Sequence, residues 1–583
     1  MKRYPRFLLL ILTVIVALVV AGCSSTDTAK KSKKVDTKFP LTTKVEGEAD
    51  PDAVLNVALV SDTPFQGILN PNFYSGAPDS NVLSFFYPSL FSIDEDFNIT
   101  NDGGASVDYS DDHRTITVKL HDDLNWSTGE PVTADDYLFS FEVIGNKDYD
   151  GVRYDEIFEN IEGMTAYHEG KADKISGLRV VDKKTAEIKY TQANPAVKTG
   201  LWSYAMQRSA YKDIPVSKMS ASDPVRKTPV GYGQYKIDSM VTGESVKFSP
   251  NEHYFGKKAQ VAGVTLSVAS PDTINEGLKQ GKIDIALGYP STQYDPKHEI
   301  DTVTFLGKED LAYSYLGFKL GKFDQKKGEN VMDPKAKMAD VKLRQAMAYA
   351  MNNAEVGEKI YLGLRWPANS MIIPSFKSFH DANIKGYPYD PKKANQILDE
   401  AGYEQKEGEA YRRTPDGKEL VIQMAAMTGD KQSEPLNDFY IQNWKDIGIE
   451  VKLTDGRPME FNSFYDRVQK DDKAIDIYMG AWSTGTDMNP SELYGRKASF
   501  NYPRYTSEAN DRLMADGQSE AAFDHDYRKK VYDEWQQLMM DDVPVAPTLY
   551  RYSVSPVNKR VNGYTIETTA YNRYEDVQII KDK

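Results

Sequence analysis

The sequence predicts an α/β protein folded into two lobes. Short alternating apolar strands are interleaved with amphipathic helices from about residue 52 to the C-terminus, the pattern of strands and helices packed in layers around a shared core. Residues 52–583 exceed the ~250–300 residues that one hydrophobic core organises, which calls for two or three domains. No internal repeat or low-complexity linker divides this stretch. The domains are therefore expected to exchange strands across shared hinges.

The elements follow in chain order. Lys2, Arg3 and Arg6 precede an almost unbroken apolar run over residues 7–21, closed by Gly22 and Cys23. The run is shorter than the ~20 residues a membrane-spanning helix needs and has the three-part layout of a secretory signal. Val20, Ala21, Gly22 and Cys23 resemble the bacterial lipobox, in which the cysteine is lipidated and becomes the new N-terminus. The alternative is an uncleaved anchor helix with an incidental cysteine. Cys23 is the only cysteine in 583 residues, so a disulfide within the chain and any cysteine-based zinc or redox site are excluded. Lys30, Lys31, Lys33 and Lys34 then fall in a polar stretch read as a flexible tether over residues 23–51, with contact to anionic headgroups as a second reading.

In the globular part, Leu55, Val57 and Leu59 alternate, as do Ile116, Val118 and Leu120, and Val264, Leu266 and Val268. Each set suits a strand with one face buried. Asp272 is placed to cap a helix containing Ile274 and Leu278, Gly281 to end it, and Ile283 and Ile285 to resume a strand, which makes a β-α-β unit. Over residues 341–352, Leu343, Met347 and Ala350 share a helical face. Asp390 and Pro391 read as N-cap and first helical residue, Ala394, Ile397, Leu398 and Ala401 as the apolar stripe, and Gly402 as the stop. Residues 420–425 suit a buried strand, residues 434–447 a helix ended by Gly448, and Ile449, Val451 and Leu453 a further strand. This strand-helix-strand order favours right-handed crossovers in a mainly parallel sheet.

The formal net charge is −15. Loss of residues 1–22, which carry three positive and no negative side chains, makes it −15 − 3 = −18. That excludes a typical nucleic-acid binder, which needs a basic face, and weakly favours cationic ligands. The seven histidines, His113, His121, His168, His253, His298, His380 and His525, include no i, i+4 pair for zinc. No phosphate-binding loop, nucleophile elbow or calcium-loop spacing is present. With no catalytic constellation, no metal and no cofactor indicated, the chain reads as a binder and not an enzyme. A buried acidic pair among the 86 Asp and Glu residues is the one hydrolytic arrangement left open.

Several stretches together resemble the peptide/nickel family of substrate-binding proteins that serve ABC importers, most of all the oligopeptide-binding lipoproteins of Gram-positive bacteria. Leu69, Asn70 and Pro71, then Asp79 and Ser80, then Tyr87 to Phe91 are similar to the family's first segment. The run from Leu124 through Trp126, Gly129, Glu130, Pro131 and Thr133 to Asp136 is similar to its tryptophan-turn-helix signature. Pro229 to Tyr235 resembles a Gly-Thr-Gly-Pro-Tyr turn, with Tyr232 and Gln234 departing from it. Asn251 to Gly256, Gly281 to Asp284, Arg344 to Ala346, Tyr389 to Pro391, and Gly448 with Ile449 complete the series, which spans nearly all of residues 52–583. The resemblance implies a periplasmic-binding-protein-like fold of type II, two lobes joined by hinge strands and closing over a ligand. Lobe I would comprise residues 52–91, 218–289 and 547–583, an inserted subdomain residues 92–217, and lobe II residues 290–546.

It further implies a monomer held outside the cell membrane by lipid on Cys23, capturing oligopeptides for a permease and its ATPase subunits. A general peptide receptor pairs the ligand backbone as an added strand and places a carboxylate at its ammonium. In related proteins a strand ending in tryptophan, followed by an aspartate, does this. Here Ile475, Ile477 and Met479 alternate before Trp482, so Asp487 is the expected ammonium partner and Ala481, Trp482, Ser483 and Thr484 the adjoining ligand-binding residues. Gly76 and Ala77 lie in the facing segment, residues 75–80. The bland alternatives are that Asp487 caps a turn before Pro490, that residues 75–80 are a surface turn, and that Trp482 is core. The alternative cargoes are a signalling peptide, a nickel chelate or a sugar. From a different class, a cell-surface hydrolase or folding factor stays open.

Overall fold

One continuous sheet of eleven strands runs through both halves of the molecule. The structure is a computed structural model that describes residues 39–429, 432–486 and 488–581. The strands of this sheet are β1 (Val54–Val60), β2 (Tyr235–Val241), β3 (Ser245–Pro250), β4 (Gly263–Ala269), β5 (Ile285–Leu287), β6 (Val303–Phe318), β7 (Arg365–Pro367), β8 (Val421–Ala425), β9 (Glu450–Leu453), β10 (Ile477–Ser483) and β11 (Val545–Asn558). Their order is β9-β8-β10-β6-β11-β5-β1-β4-β3-β2, with β7 beside β11. β1 is parallel to β4 and β5, and β8 to β9 and β10. The remaining neighbours are antiparallel, so the sheet is mixed and not mainly parallel as expected.

The β-α-β units stand where the sequence places them. Helix Ile274–Lys279 links β4 to β5 across β1, and helix Ser433–Asp446 links β8 to its parallel neighbour β9. Asp390 caps helix Pro391–Glu400 by accepting the Lys393 N–H at 2.9 Å. Asp272 caps nothing: Thr273 is the N-cap residue of its helix and has helical dihedrals.

β6 and β11 are the long strands, 16 and 14 residues, and they pair from Val303↔Asn558 to Gly317↔Val545. The ladder is irregular between Glu309↔Tyr552 and Tyr313↔Tyr550. On one side of that break, Leu306 and Val557 join a core built on Leu55, Val57, Phe86 and Trp126. On the other, Tyr315, Leu316, Phe318 and Val545 join a core with Met347, Ile422, Trp444 and Trp535. Two strands thus serve both lobes, and the irregular stretch is the natural place for them to bend.

Residues 92–217 carry a four-stranded antiparallel sheet, Ala105–Tyr109, Thr115–Leu120, Thr185–Lys189 and Leu178–Val180. They bury Ile116, Val118 and Ile188 in the same cluster as Leu55 and Phe86, so this insertion shares the core of the first lobe. The Trp126 motif is an architectural joint. Thr133 Oγ1 accepts the Asp136 N–H at 3.1 Å while Asp136 accepts the Thr133 N–H at 3.0 Å, a capping box, and Trp126 Nε1 donates to the same carboxylate at 3.4 Å. Gly231 and Gly233 pass against the Phe86 backbone so closely that a Cβ would lie 1.9 and 2.8 Å from its atoms. The two departures between them are structural: Tyr232 is buried against Tyr87 and Trp126, and Gln234 donates to the Lys257 and Glu575 carbonyls.

The expected tether ends earlier than residue 51. Residues 39–51 lie along the C-terminal segment: Thr43 N–H donates to Tyr564 O (2.9 Å), Ile566 N–H to Leu41 O (2.9 Å) and Asp50 N–H to Ile579 O (2.7 Å). The polar composition of this stretch concealed a partner more than 500 residues away. Cys23 and the four tether lysines lie outside the described residues.

The second lobe encloses a charged cluster. Asp471, at φ 55°, accepts from Lys319 Nζ at 2.5 Å, Arg504 Nε at 2.7 Å and the Phe323 N–H at 2.9 Å. Burial pushes the Lys319 ammonium down to about 8 from its ordinary 10.5, against the pull of Asp471. Between those values the folded chain binds fewer protons than the unfolded one, so this group's contribution to stability rises with pH across that window. Asp471→Asn keeps a residue that tolerates the left-handed backbone and leaves two buried cations uncompensated. It is expected to destabilise the protein by about 3–5 kcal/mol in urea unfolding; a loss under about 1 kcal/mol, the scale of an exposed pair, would contradict this reading.

Candidate functional site

A cleft of about 1170 Å³ opens between the lobes, above the ~300–1,000 Å³ usual for small-molecule sites. Its walls bring together Gly76 and Ala77 from the first lobe and Ala481, Trp482, Ser483 and Thr484 from the second, six residues the sequence singled out. Asp487, the expected ammonium partner, lies outside the described residues.

The second-lobe wall is made by β10. One edge of β10 pairs with β6 along its whole length, from Ile477↔Phe318 to Ser483↔Ala312. The other edge pairs with β8 only at Ile477 and Tyr478, where β8 ends at Ala425. From the Met479 carbonyl onward that edge is without a strand neighbour and lines the cleft. Thr484 N–H donates to Leu311 O and Lys319 N–H to Asp476 O, both at 2.9 Å. Antiparallel alternation therefore turns the even-numbered residues of β10 toward β6. Ala481 and Ser483 turn their N–H and C=O groups toward the cleft, as does the Met479 C=O, the Met479 N–H being committed to the parallel bridge with Ala425; Tyr465 Oη reaches the Ala481 carbonyl from there at 3.5 Å. This corrects the expected set of backbone contacts from residues 481–484. Thr484 and Trp482 are committed to β6, whereas the Met479 carbonyl, which only register reveals, belongs with the open groups of Ala481 and Ser483.

Trp482, weighed between core and pocket, is both. Its half-buried ring stacks on Tyr502 at 5.4 Å and near-parallel to Tyr315 at 6.3 Å, with Phe500 edge-on at 5.6 Å, while its rim lines the cleft. Facing it, Gly76 is the N-cap residue of helix Ala77–Phe86 and has no side chain to cap with, so the first-turn N–H groups are left for other acceptors. Asp79 is committed to the fold. It accepts from Gln66 and Ile68 N–H at 2.9 and 2.8 Å, and desolvation raises its pKa against those bonds.

The lining charge reverses the expectation drawn from composition. Among the described lining residues three are arginines, Arg153, Arg365 and Arg551, and one is acidic, Asp466, which pairs with Lys470 at 2.6 Å. The surplus of acid that favoured cationic ligands sits elsewhere on the surface. Among the described residues no group of three or more His, Cys, Asp or Glu side chains is arranged to hold a metal.

A smaller cavity of about 230 Å³ adjoins the cleft through Ser483 and Thr484. Asp155 of the insertion and Glu492 of the second lobe meet there carboxyl to carboxyl. Desolvation, and then Glu492, raise the pKa of Asp155 well above its ordinary value. Beside them Gln518 accepts from Asn194 Nδ2 at 3.0 Å and donates to Ser491 Oγ at 2.7 Å, and Phe523 stacks on His113 at 4.0 Å. The insertion and the second lobe are in contact, and the cleft is closed on this side.

Comparison with known proteins agrees with this geometry. The sequence profile described as bacterial extracellular solute-binding proteins, family 5 Middle, matches residues 101–503. The oligopeptide-binding protein OppA of Lactococcus lactis subsp. cremoris (strain SK11) is 34% identical over 504 residues, 85% of this chain and 84% of that protein. The structure of lactococcal OppA, complexed with an endogenous peptide in the closed conformation, matches with a TM-score of 0.85 and 32% identity over 90% of this chain and 99% of that one. AppA from Bacillus subtilis, solved with a nonapeptide, shares the fold at a TM-score of 0.75 and 20% identity, over 92% of this chain and 100% of that one.

The acid pair makes the lobe contact sensitive to pH. Closure holds on Asp155 a proton that solvent would remove, so contact is strongest at low pH and weakens as pH rises through the raised pKa. Small-angle scattering of the ligand-free protein is expected to show expansion over that range, and Glu492→Gln to flatten it. An unchanged response in that variant would remove the pair from the contact.

Proposed function

Since the chain belongs to the family 5 extracellular solute-binding proteins of bacteria, we propose that it captures oligopeptides by lobe closure and delivers them to an ABC importer. The observation that carries the reading is the open edge of β10. Ala481 and Ser483 offer main-chain donors and acceptors, and Met479 a further carbonyl, to a cleft large enough for an extended chain. A peptide laid there gains hydrogen bonds independent of its sequence, while its side chains point alternately into the walls. The helix N-terminus at Gly76 and Ala77 supplies further donors from the facing lobe.

Asp487, four residues after β10 in sequence, is the proposed partner of the peptide's ammonium. Asp487→Asn is expected to weaken peptides with a free amine by about 1.5–3 kcal/mol, the range for hydrogen bonds to charged groups. An equal loss for N-acetylated peptides would remove that role. Binding is the whole activity in this reading and no reaction is catalysed. The energy for import comes from the partner ATPase subunits. Mass spectrometry of the purified protein incubated with a peptide mixture tests the cargo directly: intact retained peptides are expected, and cleaved products, or retention of a sugar or metal chelate instead, would overturn it.

The protein acts in this account as a monomer at the outer face of the membrane, held by lipid on Cys23. Among the described residues no helix is long and apolar enough to cross a membrane. Cys23→Ala is expected to release the protein from the membrane fraction, and persistent association would contradict the anchor.

A further inference from the structure

Two polar side chains in the cleft wall have no hydrogen-bond partner, although each is almost fully buried. Thr548 is 1% exposed and its Oγ1 is unbonded; Asn437 is 5% exposed and its Nδ2 is unbonded. Both residues line the cleft. Buried donors in native proteins are nearly always satisfied, and each exception requires a reason. For Thr548 the reason begins in the backbone. β6 and β11 pair Ser314↔Leu549 and then Tyr315↔Pro547, so Thr548 is the extra residue of a bulge. Its carbonyl accepts from Ala368 N–H at 3.0 Å, which leaves the hydroxyl as its spare group. Bulges of this kind re-aim a side chain beside a functional site.

The same wall holds two guanidiniums directly opposite each other. Arg365 of β7 pairs in register with Arg551 of β11, an arrangement in which like charges repel. Arg551 donates to Asp310 at 2.6 Å, and Arg365 lies 3.8 Å over the Tyr361 ring. Arg365 also acts on Tyr440, lowering a pKa that burial raises, and Tyr440 stands one helical turn from Asn437. Donors and positive charge therefore converge on one part of the cleft, within a molecule whose net charge is −15.

We propose that this part of the cleft is a subsite for an acidic side chain of the bound peptide, with Arg365 and Arg551 as its counter-charges and Thr548 and Asn437 as its hydrogen-bond donors. The carboxylate meets the positive charge of this wall and satisfies donors that the protein leaves unbonded. Charge-assisted bonds of this kind are the stronger class. The proposal rests on the peptide-binding reading and deepens it, because backbone pairing on β10 is indifferent to sequence whereas this subsite selects.

The test is calorimetric titration of the purified protein with alanine nonapeptides that have a free amine and an amidated C-terminus. A single Glu, or a single Gln, is moved through each position. At one position Glu is expected to tighten Kd about tenfold over Ala and to exceed Gln. Arg365→Gln removes most of that advantage. Thr548→Val and Asn437→Leu each reduce it about threefold, and Thr548→Ser retains it. The all-alanine peptide stays within about twofold in every variant, which reports an intact cleft. If peptides bind but Glu gains nothing at any position, or gains as much in the variants, the subsite is wrong and the peptide reading stands. A gain that appears only with a free C-terminal carboxylate also overturns it. If no peptide binds at all, both readings fall together.

Discussion

The antiparallel pairing of β6 with β11 is the constraint on which the rest of the molecule depends. Each strand enters the cores of both lobes, so the lobes cannot separate without breaking a ladder that runs from Val303↔Asn558 to Gly317↔Val545. They can turn relative to each other where that ladder is irregular, between the Glu309 and Tyr313 pairs. That stretch reaches the cleft at Arg551, and Ser314, Thr548 and Leu549 line the cleft just beyond it, at the second irregularity. In the proposed reading a ligand that touches these residues touches the strands shared by both lobes, which couples occupancy to closure. Because the coupling is built into main-chain pairing, it needs no switch of its own.

In the proposed reading the cleft combines two kinds of recognition with different physical bases. β8 ends at Ala425, and β10 continues past it with an unpaired edge. Exposed edges invite further strands and are usually blunted; here the edge is sheltered between lobes, out of reach of another folded chain. Main-chain bonding at that edge is general, and the aromatic stack of Tyr315, Trp482 and Tyr502 behind it holds the strand in place. Selectivity requires side chains whose demands are unmet without ligand. The charge of the wall, three arginines to one aspartate among the described residues, lets an acidic protein present a basic interior.

Much of the fold was legible because it rests on local patterns. Asp390 with Pro391, and Gly448 after an apolar stripe, marked helix ends by capping chemistry that acts within a few residues. The strand before Trp482 declared itself by alternation. What the sequence could not reveal depends on distant partners. Residues 39–51 read as tether because the segment they pair with lies at residues 562–581. Asp272 read as a cap by its position, yet Thr273 adopts helical dihedrals and takes the place. The same limit applies to the expected backbone set at residues 481–484: alternation gives a period, but only the neighbour β6 decides which phase faces the cleft. Arg365, Asn437 and Thr548 carried no motif, and a bulge made by β6 and β11 together is what singles out Thr548.

The central claim is that a peptide completes the sheet at the open edge of β10. Amide hydrogen exchange across residues 477–485, followed with and without a saturating peptide, tests it most directly. The account predicts that the amides of Ala481 and Ser483 slow markedly on binding, while those of Met479, Gly480, Trp482 and Thr484, already bonded to β8 or β6, change little. Slowing elsewhere in the cleft with no change at those two amides would contradict it.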